Sequence, residues 1–409
     1  MRTSAIDASP PPFEEHYQGV LLDLRGALTE LLLSVEADPT NPQELARRFG
    51  LNRNLTWKVS RLIRASDLFG VFPQMPGASA MTIFLKALRR AGAPKESLQA
   101  VQRAMEEFES MVKIHAGDRA NLELMLDSLS PEGMGTEPLE ISRKLAFRGN
   151  SGIWGTQARL RLRAFFIAPN ADDPDMLDTA QITGLVDLRR LRPGAVQPFF
   201  RMSRYNDDGS QLDAPRQLSI EPDVAGYEGS MLMPSFCSSP LPPLRVVEHG
   251  AGLSHVLGEG PLGNRGASSI IYGSLTRRFA QRHRDESNIY GECLTDINVP
   301  AESLLFDLIV HRDVVDDLQP EVKLFQGAAT PLLKPLATQL PCPEGIQDIG
   351  AGPPRMATPL MPRYGKLIDS VFERAGWDPL EFRAVRFEMK YPPVNSSVLV
   401  RYSLPEKRS

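Results

Sequence analysis

Cysteine is scarce in this chain. Cys237, Cys293 and Cys342 are the only three in 409 residues, they lie far apart, and no CxxC pair exists. An odd, scattered set excludes a disulfide framework and a zinc ribbon and points to a reducing compartment. Long apolar runs are missing too. None approaches the ~20 residues needed to cross a bilayer. The opening stretch MRTSAIDASPPPFEEHYQG has no apolar segment, so no secretory signal is expected. Charge of one sign is not in excess: the net is −4. That balance excludes a protein coated in nucleic acid, but it permits one local basic patch. No GxSxG elbow, Walker loop or fixed-period repeat is present. A cytoplasmic protein with no membrane contact, no cofactor and no metal is expected, and an enzyme is not the first reading.

What is there suits a folded chain, with 42% hydrophobic and 23% charged residues. Its length calls for two or three domains. The expected fold class is α+β: an all-α N-terminal domain followed by a larger, mainly antiparallel β domain with a few helices. Residues 1–12 read as a Pro-capped tail, 13–130 as the helical domain, 131–138 as a Gly/Pro linker and 139–409 as the β-rich part. Val20, Leu21, Leu24, Leu28, Leu31 and Leu32 make one helical stripe. Ser79 is a plausible cap for SAMTIFLKALRR, and Asp118 opens a later helix. In TQARLRLRAFFIAP, Leu160 and Leu162 alternate with Arg159, Arg161 and Arg163, which predicts a strand with one wet face. A helix is expected at about 360–375. AVRFEMKY and VLVRYSLP, joined by PPVNSS, read as a final hairpin with Arg386, Glu388 and Lys390 outward. Frequent prolines between short strands favour a sandwich or partial barrel over a βαβ array.

The most legible stretch is ELARRFGLNRNLTWKVSRLI. Ala46 is small where two helices must cross. Gly50 suits a left-handed turn, and Asn52 or Asn54 can cap the next helix. On a helical wheel Leu51, Leu55, Val59, Leu62 and Ile63 share one side, and Arg53, Asn54, Trp57, Ser60, Arg61 and Arg64 the other. Residues 41–65 resemble the helix-turn-helix of bacterial DNA-binding regulators through Ala46, Gly50, Leu51, Val59 and Leu62. They depart from that pattern at Thr56, where a branched aliphatic residue is usual. The resemblance implies duplex DNA as partner, transcriptional regulation, and a homodimer that pairs two recognition helices. It assigns Arg53, Asn54, Trp57 and Arg61 to bases and Arg47, Arg48, Lys58 and Arg64 to phosphates. An indole on a polar face is costly to leave in water, so Trp57 is expected to pack on another helix, such as that at MTIFLKAL, ahead of a thymine methyl or sugar. The β-rich part would sense a small-molecule effector, bind a protein partner or build the dimer.

Other readings of the same residues compete. Helix pairs of this kind also dock proteins, which would make the chain a structural or interaction protein. Arg143, Lys144, Arg148, Arg159, Arg161 and Arg163 either extend a phosphate-binding surface or protect a strand edge. GEGPLG at 258–263 matches GxGxxG, but a strand-like stretch comes after it and Pro261 lies inside, so it reads as a turn. HRD at 311–313 lacks the partner motifs of a kinase. Asp307 and His311 share a strand face and are expected to form a structural hydrogen-bonded pair. His249 and His255, beside Glu248 and Glu259, are the least improbable metal or enzyme site.

Overall fold

A computed structural model describes residues 11–129, 136–195, 198–200, 217–225, 227–249, 252–286, 289–314, 318–327, 338–352 and 354–407. The chain divides into two units, Met1–Gly135 and Thr136–Ser409. The expected tail lies outside the described residues up to position 10, as does the expected linker up to position 135.

The first unit is helical: α1 (Phe13–Leu33), α2 (Pro42–Phe49), α3 (Arg53–Arg64), α4 (Ala78–Arg90), α5 (Lys95–His115) and α6 (Arg119–Leu129). The leucine stripe of α1 is buried throughout and joins Phe84 of α4 and Phe108 of α5 in one core. Tyr17 extends the stripe by one turn, and its hydroxyl donates to the Leu68 carbonyl at 2.9 Å. The caps are local. Asn41 accepts from the Glu44 amide and Asn52 from the Asn54 amide, and Asp118 accepts from the Asn121 amide at 2.8 Å. Ser79 does not cap α4. The helix begins one residue earlier, after Gly77, with no side-chain cap.

His16 Nδ1 and His115 Nε2 lie 3.0 Å apart, joining α1 to the end of α5. Two nitrogens at that distance share one proton well and two badly. Burial, and then the neighbouring His16, hold His115 below the usual imidazole range. A depressed folded-state pKa supplies stability that is present above the unfolded value and lost as pH falls through the folded one. The Trp57-reported melting temperature of this unit should therefore fall between about pH 7 and 5. His115→Gln should flatten the dependence. An equally steep curve in the variant would remove the pair as its cause.

The second unit opens with α7 (Thr136–Trp154), which begins inside the expected linker. A seven-stranded sheet comes next, in the order β12 (Ile346–Ala351), β13 (Phe382–Lys390), β9 (Ala301–His311), β1 (Thr156–Pro169), β2 (Met176–Arg190), β7 (Ser268–Gln281), β4 (Gln217–Ser219). All its neighbours are antiparallel except β1 and β9, which run parallel. A four-stranded sheet has the order β11 (Gln339–Leu340), β10 (Glu321–Gln326), β14 (Ser396–Ser403), β8 (Tyr290–Ile297). A smaller sheet joins β3 (Pro198–Phe200), β6 (Gly252–Leu257) and β5 (Leu244–His249). Phe165, Leu304, Phe306 and Phe387 of the large sheet meet Cys293, Leu324, Val398 and Val400 of the four-stranded one, so the two form a sandwich. The helix α8 (Tyr364–Ala375) packs Leu367, Ile368, Val371 and Phe372 on the opposite face of the large sheet. The fold is α+β.

Two local expectations fail here. β13 and β14 are not a hairpin: β13 pairs with β9 and β12, whereas β14 pairs with β8 and β10. The 391–395 connection therefore arches from one sheet to the other. β1 also has no wet face. It is an interior strand covered on both sides, and Arg161 is 8% exposed.

Close packing leaves little room at Gly184, paired with Ile271 across β2 and β7. A Cβ there would lie 2.4 Å from Ile271 Cδ1 and 2.8 Å from the Ile270 carbonyl oxygen. The methyl end of Ile271 can move but the carbonyl cannot. Gly184→Val should cost about 1–3 kcal/mol in denaturant unfolding of this unit. A variant as stable as wild type would show that the strand pair is looser than this.

Candidate nucleic-acid interface

α2 and α3 form a tight pair. Leu45, Ala46, Leu51, Leu55, Val59 and Leu62 are all buried. Gly50 ends α2 in the left-handed conformation at φ 63°, ψ 33°. A residue with a Cβ pays a penalty there. Thr56, the departure from the helix-turn-helix pattern, has a physical reason. It is fully buried, and its hydroxyl donates to the Pro42 carbonyl at 2.8 Å, pinning α3 to the first turn of α2. Arg25 of α1 holds the other end, donating to the Ala65 carbonyl at 2.9 Å. Position 25 is off the leucine stripe, and nothing in the local pattern marks it as an anchor.

The outward side of α3 carries Arg53, Asn54, Trp57 and Arg61, all exposed. Trp57 is 42% exposed and does not enter the core, contrary to the expectation that it packs on another helix. The Arg61 guanidinium lies 6.0 Å from its ring centre. Arg61 is further steered by Nε donating to Gln74 Oε1 at 2.8 Å. Ser60 is fully buried, so it leaves the polar side on which the wheel placed it.

The eight cations and polar groups assigned to DNA thus separate into kinds. Among the described residues, Arg47 and Arg53 have exposed side chains with no protein partner, and Lys58 is half-buried. Arg64 is exposed and donates from Nε to the Ser60 carbonyl at 3.4 Å. Arg48 is committed elsewhere: its Nη1 and Nη2 donate to the Glu36 and Val35 carbonyls at 2.6 and 2.5 Å. Those carbonyls belong to the turn that follows α1. Arg48 therefore fastens α2 to the turn after α1, and two of its guanidinium nitrogens are occupied there rather than free for the phosphate expected of it.

Four of the six cations in the second basic region are taken up by protein acceptors. Arg143 is buried in an ion pair with Glu344. Arg159 bonds Asp187 at 2.6 Å and the Leu360 carbonyl at 2.8 Å. Arg161 and Arg163 point into the unit. Lys144 and Arg148 remain exposed. The strand-edge reading does not apply, because β1 is not an edge.

The remaining motifs resolve as structure. Asp307 and His311 do not bond each other. Asp307 takes Arg386 and Tyr364, whereas His311 Nε2 meets Glu381 Oε2 at 3.0 Å. Residues 258–262 form an irregular connection between β6 and a short 3-10 helix at Gly263–Gly266, and Arg190 donates to the carbonyls of Gly258 and Gly260. In the β5–β6 hairpin His249 pairs with Gly252 and His255 with Val246. Positions 246 and 249 are an odd spacing apart, so the two histidine positions belong to opposite faces of the hairpin. Their side chains lie outside the described residues. Among the described residues no group of His, Cys, Asp and Glu could hold a metal, and no helix is long and apolar enough to cross a membrane.

No protein-family model matches this chain, and no curated protein matches it. Among solved structures, it is similar to a candidate protease from Parabacteroides distasonis, at TM-score 0.25 and 9% identity over 61% of this chain and 41% of that one. A second is a mutant M1 zinc metallopeptidase from Deinococcus radiodurans bound to a Tyr-Ser-Ala substrate, at TM-score 0.26 and 8% identity over 60% and 42%. The chain spans less than half the length of either. Likenesses at this level assign neither fold nor function.

Proposed function

We propose that this chain is a DNA-binding protein, a transcriptional regulator whose helical unit reads duplex DNA with the outward side of α3. The observation that carries the reading is that side itself. Arg53, Asn54, Trp57 and Arg61 project together from a helix whose other side is buried. No acidic residue interrupts α3, and from Pro42 to Arg64 Glu44 is the only acid beside six Lys and Arg. Such a face supplies bidentate donors for guanine and adenine edges, and the flanking cations supply phosphate contacts. In this reading two copies pair, because one helix spans too few base pairs, and the β unit senses an effector or supports that pairing. The cytoplasm is the compartment that goes with it.

One observation favours a second reading. An exposed Trp with an Arg over its ring is also the composition of a protein-binding hot spot. Salt separates the two. Random duplex DNA, monitored by fluorescence anisotropy at 50 and 200 mM salt, should bind the full chain and weaken steeply. A chain inert at the lower salt is not a DNA reader, and its α3 face then belongs to a protein partner.

A further inference from the structure

Arg61 is held from outside the helix that carries it. Its Nε donates to Gln74 Oε1 at 2.8 Å, 13 positions further along the chain. One turn back on α3, Trp57 lies on the same side, its ring centre 6.0 Å from the guanidinium. Gln74 in turn stands on fixed backbone. It closes the short 3-10 helix Phe72–Gln74, where its own amide donates to the Val71 carbonyl at 3.0 Å and the Met75 amide to the Phe72 carbonyl at 2.9 Å. Val71, Phe72 and Met75 are buried in the core of the helical unit, and the Phe72 ring centre lies 6.3 Å from that of Phe108 in α5. Gln74 itself is half-buried, and its side chain reaches α3 from that anchored turn. The resemblance to a helix-turn-helix ends at residue 65, so it assigns nothing to this position.

A guanidinium carries five N–H donors and can grip a pair of acceptors in two ways, side-on through Nε and one Nη or end-on through both Nη. With Nε given to Gln74, the side-on pair of Arg61 is occupied. Among the described residues its Nη1 and Nη2 donate to no protein acceptor, so the end-on pair stays open on the exposed side of α3. Arg53, one turn and more before it, has no such support. Two arginines on one face therefore differ in how far they are ordered before anything binds.

We propose that Gln74 is a positioning residue for the α3 face and fixes Arg61 so that its end-on pair meets the O6 and N7 of a guanine. This rests on the reading that α3 enters duplex DNA. Guanine is the base that offers two acceptors to such a fork in the major groove. Ordering a free, long side chain at an interface weakens binding by roughly 2- to 12-fold, and Arg61 is ordered before DNA arrives.

The test is selection of bound sequences from a randomised duplex library by the full chain as wild type, Arg61→Ala and Gln74→Met. The methionine keeps the length of the side chain without its acceptor. Arg61→Ala should relax one position at which the wild type selects guanine, and Gln74→Met should relax that same position and no other. On the selected duplex Gln74→Met should weaken binding by roughly 2- to 12-fold, and by nothing further once Arg61 is replaced by Ala. Gln74→Glu keeps an acceptor for Nε. It should hold the guanine preference while weakening binding to all sequences alike, because its negative charge lies beside the phosphates. A merely structural role would lower the melting temperature of Gln74→Met and weaken binding equally with or without Arg61. That result overturns the proposal, and so does an intact guanine preference in Gln74→Met. An Arg61→Ala loss spread evenly over all sequences overturns it too, because Arg61 is then a phosphate contact. Should Gln74→Met fail to fold, loss of the guanine preference in Gln74→Glu counts against it in the same way. A wild type that binds no duplex even at low salt overturns the reading of α3 itself, and the role of Gln74 falls with it.

Discussion

Replacing Asp307 by Ala should destabilise the second unit by about 3–5 kcal/mol, the cost of leaving a buried charge without its partner. Asp307 is fully buried in the middle of β9. Arg386 donates to both its oxygens, at 2.9 and 2.8 Å, and the Tyr364 hydroxyl donates at 2.7 Å. Burial pushes the Asp307 carboxyl up, and Arg386 and Tyr364 pull it part of the way back. Without the carboxylate, Arg386 keeps the Ala357 carbonyl at 3.1 Å as its acceptor, and its residue is 5% exposed. Most domains are stable by only about 5–15 kcal/mol, so this loss is a large share. Urea unfolding monitored through Trp377, packed 5.6 Å from Phe382 of β13, measures it. The double substitution Asp307→Leu with Arg386→Met should recover most of the stability, because a well-packed apolar pair avoids both desolvation costs. A double variant as weak as Asp307→Ala would show that shape, not charge, sets the effect.

That pair also shows where reading the sequence stops. Alternation along β13 puts Arg386 with Glu388 and Lys390, and the two outer members are indeed exposed. Arg386 is not, because α8 covers that part of the sheet. Its partner lies 79 positions away along the chain. Nothing local marks either residue. Arg161 and Arg163 fail the same way: period two identifies a strand, but whether its polar face meets water depends on the second sheet. The arch at 391–395 carries Pro and Asn as a hairpin turn does, and only long-range pairing tells the two apart. The helix pair is the opposite case. Asn41, Gly50 and Asn52 act on residues within four or five positions, so caps, turn and crossing are all set locally. The buried stripe of α1 is legible for the same reason. The role of Arg48 is not, because its acceptors lie 12 and 13 positions back, beyond a turn.

Three neighbouring arginines should therefore behave in three different ways, and the contrast tests the α3 face more sharply than any one of them. Arg53→Ala removes a long donor from the outward side of α3. A bidentate base contact is worth about 1–3 kcal/mol, so specific affinity should fall roughly 5- to 150-fold, with base preference relaxed at one position. Arg47→Ala removes an exposed charge beside the duplex. It should weaken binding to all sequences alike and lower the slope of log K against log salt by ~0.9 for each phosphate left without its cation. Arg48→Ala should hardly touch that slope. It frees the Val35 and Glu36 carbonyls and should instead cost the helical unit about 1.5–3 kcal/mol, the range for hydrogen bonds from a charged donor. Anisotropy titrations at several salt concentrations, beside thermal melts of each variant, read all three. If Arg48→Ala changes the salt slope as much as Arg47→Ala does, the α1–α2 fastening is not how Arg48 is used on DNA. If Arg47→Ala and Arg53→Ala leave both affinity and slope untouched, α3 does not face the duplex, and its exposed Trp57 and Arg61 belong to a protein interface.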